Sequence, residues 1–237
     1  MSSEGDTFMS SIIYAVAFII LTVFIFFLMK KLYHLYTYPI LVPIFTTSLL
    51  IVWILLIFNI PYQTYMSGGE WLAKLLGPAV VALAIPLFDH REMLKKNLLN
   101  IVFSVCIGAI IGISTGLFLG FIFQLDQELL LSIAPKSVTT PIAMDISEMS
   151  GGAPTLTAVY VMVAGISGAM FGPYIMNLFK VKHPISTGIG FGTASHGIGT
   201  ARALEIGSVE GAISSISMTL SAIMTSIFCP IILSFMF

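Results

Sequence analysis

From Leu98 to Phe123 the chain runs without a single charged residue. An α-helix needs about 20 apolar residues to cross a hydrocarbon core roughly 30 Å thick. The pattern recurs. Ser11–Met29 ends at Lys30-Lys31, Ile40–Ile60 follows Tyr38-Pro39, and Pro154–Phe179 and Ala212–Phe237 are equally apolar. Of the 237 residues, 57% are hydrophobic and only 9% are charged, where a soluble domain carries about 25%. Mean hydropathy is +1.03. Such a chain cannot cover a water-facing surface, so a lipid bilayer is its expected surrounding. The net charge of −1 offers no footprint for nucleic acid. The two cysteines, Cys106 and Cys229, lie in apolar runs with no disulfide framework and no metal spacing. No cofactor is expected. Met1–Ser10 lacks the basic region and cleavage site of a signal peptide, so the first apolar block is expected to be a retained span.

The remaining segments are less regular. Pro61–Gly69 reads as a polar loop. Leu72–Phe88 is apolar but short, with Gly77-Pro78 and Pro86 inside it, and Asp89–Lys96 is a charged loop. Leu98–Phe123 places Gly108, Gly112, Gly116 and Gly120 on one helical face, where another helix can approach closely. Pro154–Phe179 has a similar stripe at Gly165, Gly168 and Gly172. Both stripes are candidate packing surfaces for a homo-oligomer or a partner. Leu129–Ser150 is too polar and proline-rich for a plain span, and Pro184–Ile206 is glycine-rich with His196 and Arg202.

Basic residues mark the cytoplasmic side. Lys30/Lys31, Arg91/Lys95/Lys96 and Lys180/Lys182 then share that side. Leu98–Phe123 runs away from it and Pro154–Phe179 runs back, so Leu129–Ser150 must leave and return to the far side. A re-entrant pair of half-helices broken near Pro135–Pro141 satisfies this; two thin crossings are the alternative. The expected fold is an all-α polytopic integral membrane protein with about seven or eight membrane segments, including broken or re-entrant helices. It is read as one transmembrane domain over 1–237. Residues 40–123 and 154–237 form candidate halves of an inverted repeat, linked by 129–150.

Ionisable residues inside a membrane are expensive, by roughly 2.5–3.5 kcal/mol on insertion scales, and point to function. Lys136 is such a residue. It stands between Pro135 and Ser137, with Thr139 and Thr140 adding hydroxyls at the same break. It reads as a cationic ligand for a carboxylate, or as an interfacial lysine that snorkels to the surface. Pro141 suits the first turn of a half-helix capped by Thr140, whose free N–H groups attract anions. Asp145 and Glu148 would balance Lys136, bind a coupling cation, or complement the helix start.

The second polar cluster is Ser195-His196-Gly197-Ile198-Gly199-Thr200-Ala201-Arg202. His196 titrates near physiological pH and reads as a substrate or proton ligand, or as a satisfied packing residue. Arg202 suits bidentate carboxylate binding, or an ion pair with Glu205 or Glu210. Nothing resembles a nucleophile elbow around Ser195 and His196, so no enzyme is expected.

Three segments carry a family resemblance. L-G-P-A-V-V-A-L-A-I-P at Leu76–Pro86, P-K-S-V-T-T-P-I-A at Pro135–Ala143 and G-T-A-S-H-G-I-G-T-A-R-A at Gly192–Ala203 resemble the LrgB/CidB family. That family includes antiholin-like and holin-like bacterial proteins tied to murein hydrolase activity and lysis. It also includes part of the plastidic glycolate/glycerate transporter and a subunit of a bacterial pyruvate transporter. The resemblance implies a multi-pass bacterial cell membrane protein and a small LrgA/CidA-type membrane protein as partner. The main expectation is a secondary transporter of small 2-hydroxy or 2-oxo monocarboxylates (the pyruvate, glycolate and lactate class) working by alternating access with proton or cation coupling. Lys136, Ser137, Thr139, Thr140, His196, Thr200 and Arg202 would bind the carboxylate, with Asp145, Glu148 or His196 as coupling residues. The alternative is an antiholin- or holin-like regulator of lysis. A pore regulator has no need of cationic residues and hydroxyls at broken helices, whereas a carboxylate site does.

Overall fold

The computed structural model describes residues 2–36 and 38–237, without the side chains of residues 1–11 and 80. Helix makes up 87% of the described residues. Among the described residues, five helical stretches are long and apolar enough to cross a membrane: Ile12–Tyr36, Tyr62–Asp89, Arg91–Ile122, Pro154–Leu178 and Ser208–Met236. Pro43–Ile57 is a shorter apolar helix. The protein is an all-α polytopic membrane protein. It divides into two compact units, 1–82 and 83–237.

The first unit holds α1 (Ser2–Tyr36), a 3-10 turn (Pro39–Leu41), α2 (Pro43–Ile57), α3 (Tyr62–Lys74) and α4 (Leu76–Ala82). Pro39 and Pro43 lack the N–H that a helix interior needs. They delay α2, leaving it 15 residues where Ile40–Ile60 was expected. Pro61–Gly69, expected as a loop, instead opens α3. Pro61 supplies an extended N-cap there, and Gly68 lets the α1 backbone come close: a β-carbon at Gly68 would lie 2.5 Å from the Ala15 carbonyl oxygen. Tyr65 stacks edge-on against Phe18 at 5.6 Å and its hydroxyl meets Thr22 Oγ1 at 3.2 Å.

The second unit holds α5 (Ala84–Asp89), α6 (Arg91–Ile122), α7 (Gln127–Ile133), α8 (Thr140–Ser150), α9 (Pro154–Leu178), α10 (Pro184–Ile206) and α11 (Ser208–Ser234). α6 and α11 run parallel. At one end Leu94 and Ile101 pack with Ile213, and His90 Nε2 meets Ser208 Oγ at 3.2 Å. At the other, Ile113 and Leu117 pack with Cys229 and Leu233, and Phe121 stacks on Phe237.

Two helical hairpins enter this frame from opposite ends. α7 has 7 residues and α8 has 11, so each spans about 10–17 Å at 1.5 Å per residue. α7 descends along the α6 glycine stripe. Leu130 fills the space at Gly120, and Ile133 O would lie 3.3 Å from a β-carbon at Gly116. The chain turns at 134–139 and returns as α8, which closes on Gly151 in the left-handed region at φ 86°. There Thr157 ties the outer ends together: its Oγ1 lies 2.7 Å from Ser147 Oγ and 3.0 Å from Ser132 O. The charge-side argument for Leu129–Ser150 thus corresponds to a hairpin that enters and leaves at one end.

α10 is the second hairpin, and this differs from a simple crossing. His196 has φ 41° and ψ −133°, so the helix stops at Ser195 and starts again at Gly197. The two halves fold back. Gly188 in the first half and Leu204 in the second both lie against the start of α11, at Glu210–Ile213 and Gly211. Gly199 packs on the Phe191 carbonyl and the Ser195 side chain.

The order is therefore α6 followed by a hairpin at its far end, then α9 running back and a hairpin at its own far end. This inverted pair comprises 91–150 and 154–206. It differs from the halves 40–123 and 154–237 read from hydropathy, and 129–150 is a partner in the repeat instead of a linker. Arg91, Lys95, Lys96, Lys180 and Lys182 share one end of the unit, while Asp126 and Glu128 lie at the other.

Candidate functional site

The two hairpin tips converge. Val138 and Ala143 from the first pack with Val161 of α9 and Ala222 of α11. His196 at the tip of the second donates from Nε2 to the Val161 carbonyl, 3.0 Å away. A carbonyl only accepts, so this bond fixes the hydrogen on Nε2. On α6 the tips are one turn apart. A β-carbon at Gly112 would lie 3.2 Å from Ser137 Oγ, and one at Gly108 would lie 2.6 Å from Thr193 Cγ2. Gly112 stands near the middle of Leu98–Phe123, so the tips meet near mid-depth.

Beside them lies a cavity of about 650 Å3. Lys136 and Ser137 line it from the first hairpin, Thr193 and Ser195 from the second, and Tyr160 and Ser167 from α9. Ser104 and Thr115 line it from α6. The rest of the wall is glycine and apolar side chains, and no acidic residue faces it. Lys136 Nζ donates to the Gly112 carbonyl at 2.7 Å. An ammonium carries three hydrogens, so two remain for a ligand. The cavity thus places one uncompensated cation and several hydroxyls at mid-depth. A lining of this composition can hold an anion.

The other expected residues lie elsewhere. Thr139, not Thr140, is the N-cap of α8, and it makes no side-chain capping bond. Neither threonine lines the cavity. His196 is buried and turned toward α9. Thr200 is fully buried, with Oγ1 2.9 Å from both the His196 carbonyl and Ser214 Oγ. Arg202 forms an ion pair with Glu205, one turn from the end of α10. Glu148 is exposed, and Asp145 lines a separate space of about 450 Å3 between α8 and α11. The glycine stripes, expected as surfaces for another subunit, are filled from within: Gly108 to Gly120 by α7, its turn and α10, and Gly165 to Gly172 by His196, Ser195 and Phe191. Both cysteines are free thiols. The sequence did not single out Ser104, Thr115, Tyr160, Ser167, Thr193 and Ser195 as residues lining this cavity. The available signal was the helical face: Ser104, Gly108, Gly112 and Thr115 share one side of α6.

The LrgB-like family model matches residues 22–235. The chain belongs to the LrgB-like family. It is 43% identical to "Uncharacterized protein YxaC" of Bacillus subtilis over 218 residues, covering 92% of this chain and 95% of that protein. It is 33% identical to "Holin-like protein CidB" of Staphylococcus aureus over 225 residues, covering 95% of this chain and 98% of the relative. A Staphylococcus epidermidis protein of the same name is 32% identical over the same length. No solved structure matches. These comparisons bear out the family read from the three motifs.

Proposed function

We propose that this chain is a holin-like protein of the bacterial cell membrane, regulating murein hydrolase activity and lysis with a small LrgA/CidA-type membrane partner. The observation that carries this is the match to proteins named holin-like along 95% of this chain and 98% of theirs.

The cavity favours a second reading, a carrier of small 2-hydroxy or 2-oxo monocarboxylates. Inverted repeats with broken helices and a binding site at the midplane are the build of secondary transporters. Here Lys136 supplies the cation at that depth, and Ser137 and the start of α8 face the same break. Non-helical backbone at membrane depth is tolerated where it is buried in protein or lines a cavity. The two readings join if altered organic-acid flux changes the lytic state of the cell.

One preparation separates them. The full chain, with and without the small partner, is placed in vesicles loaded with a large dye and supplied with labelled pyruvate, glycolate or lactate. Dye release supports a holin-like lesion. Dye retention with uptake of the acid supports the carrier, and absence of uptake in both preparations overturns it.

A further inference from the structure

Ser195 ends the first half of α10, immediately before the sharp turn at His196. It is 2% exposed and lines the cavity. Its hydroxyl makes no hydrogen bond among the described residues. The oxygen is not sealed off, since it borders the cavity; the hydroxyl on this wall that is both buried and without a partner is Thr193 Oγ1. A helical serine ordinarily donates to the carbonyl four residues earlier, as Ser150 does to Ile146 and Ser226 to Ala222 in this chain. For Ser195 that carbonyl belongs to Phe191, and Gly199 packs over it. The hydroxyl lies instead in the space that a β-carbon of Gly168 would occupy. Its position is enforced from both sides. His196 sits at positive φ, a conformation that costs free energy in a non-glycine residue, and its ring is pinned to the Val161 carbonyl.

We propose that Ser195 is a substrate-contacting residue: the second hairpin presents its hydroxyl across the cavity from Lys136 and Ser137, and it selects short monocarboxylates that carry a second oxygen beside the carboxylate. The inference rests on the carrier reading. The spacing supplies the length. Thr193 and Ser137 meet α6 at Gly108 and Gly112, about 6 Å apart along the helix, and Ser195 belongs to the same tip as Thr193. An acid of two or three carbons held at Ser137, with Lys136 beside it, extends toward that tip. A serine hydroxyl donates to a 2-oxo group, and both donates to and accepts from a 2-hydroxyl. An acid with a plain methylene there leaves the serine hydroxyl without a partner. A site built to bond an oxygen rejects the analogue lacking it far more strongly than an apolar pocket rejects a size change.

The test compares initial uptake of labelled lactate and labelled propionate into vesicles holding the full chain, with its small partner present. The native protein is expected to favour lactate at least tenfold. Ser195→Ala should bring that ratio near one, and Gly168→Ala, which evicts the hydroxyl from its place, should do the same. Ser234→Ala, at the exposed end of α11, should leave it unchanged. The melting temperature of Ser195→Ala should equal or exceed the native value, since the hydroxyl bonds nothing within the protein. A several-degree fall would show a structural role and overturn the proposal, as would a tenfold preference surviving in Ser195→Ala. If the native protein takes up neither acid, the carrier reading itself fails.

Discussion

Lys136 holds the Gly112 carbonyl with one hydrogen and keeps two for a ligand. A buried ammonium with no counter-ion is a cost to the fold, and removing it need not destabilise the protein. On the carrier reading, Lys136→Met is therefore expected to keep its melting temperature while initial uptake of lactate or pyruvate falls at least tenfold, equivalent to about 1.4 kcal/mol or more. Uptake at the native rate would move the anion site away from the first hairpin. Lys136 and Ser137 were legible because a charge inside apolar sequence is conspicuous. Ser195 was quoted in its motif, yet the neighbouring histidine and arginine looked more chemical. Only tertiary contacts reveal that His196 points into α9, that Arg202 pairs with Glu205, and that the plainest residue of the three lines the cavity.

At the scale of elements, the glycine stripes are the clearest link from sequence to packing. Their period announces a close neighbour without saying which one, because a smooth face specifies distance and not partner. In α6 the neighbour changes along the stripe, from α10 at Gly108 to the first hairpin's turn at Gly112 and Gly116, and to α7 at Gly120. Gly120→Val should push Leu130 out of its seat and destabilise the protein by about 1–3 kcal/mol, the usual cost of overpacking. Gly77 is the contrast, since a β-carbon there meets nothing within 4 Å. Gly77→Ala should be neutral or stabilising by up to about 1 kcal/mol, from helix propensity alone. Thermal unfolding in detergent measures both. A harmless Gly120→Val would mean that α7 does not pack along α6.

At the scale of the molecule, the first hairpin could be inferred because prolines broke it and lysines on both flanks forced the chain to return. The second could not. Pro184–Ile206 is 23 residues long, enough to cross, and no proline marks its break. The turn at His196 is set by what surrounds it, namely the Val161 carbonyl and the missing β-carbons of Gly165 and Gly168. This one turn decides the topology. If α10 doubles back, its two ends share the end of the unit that carries Lys95 and Lys182, and α11 starts there. If α10 crossed, Glu205 would emerge with Glu128 at the opposite end. Single cysteines in a background lacking Cys106 and Cys229 distinguish these arrangements. With a membrane-impermeant thiol reagent, Lys95→Cys, Lys182→Cys and Glu205→Cys should react from one face of sealed vesicles, and Glu128→Cys from the other. Labelling of Glu205→Cys from the face of Glu128→Cys would remove the second hairpin. Ser195 would then no longer share a cavity with Lys136, and the proposed site would lose one of its walls.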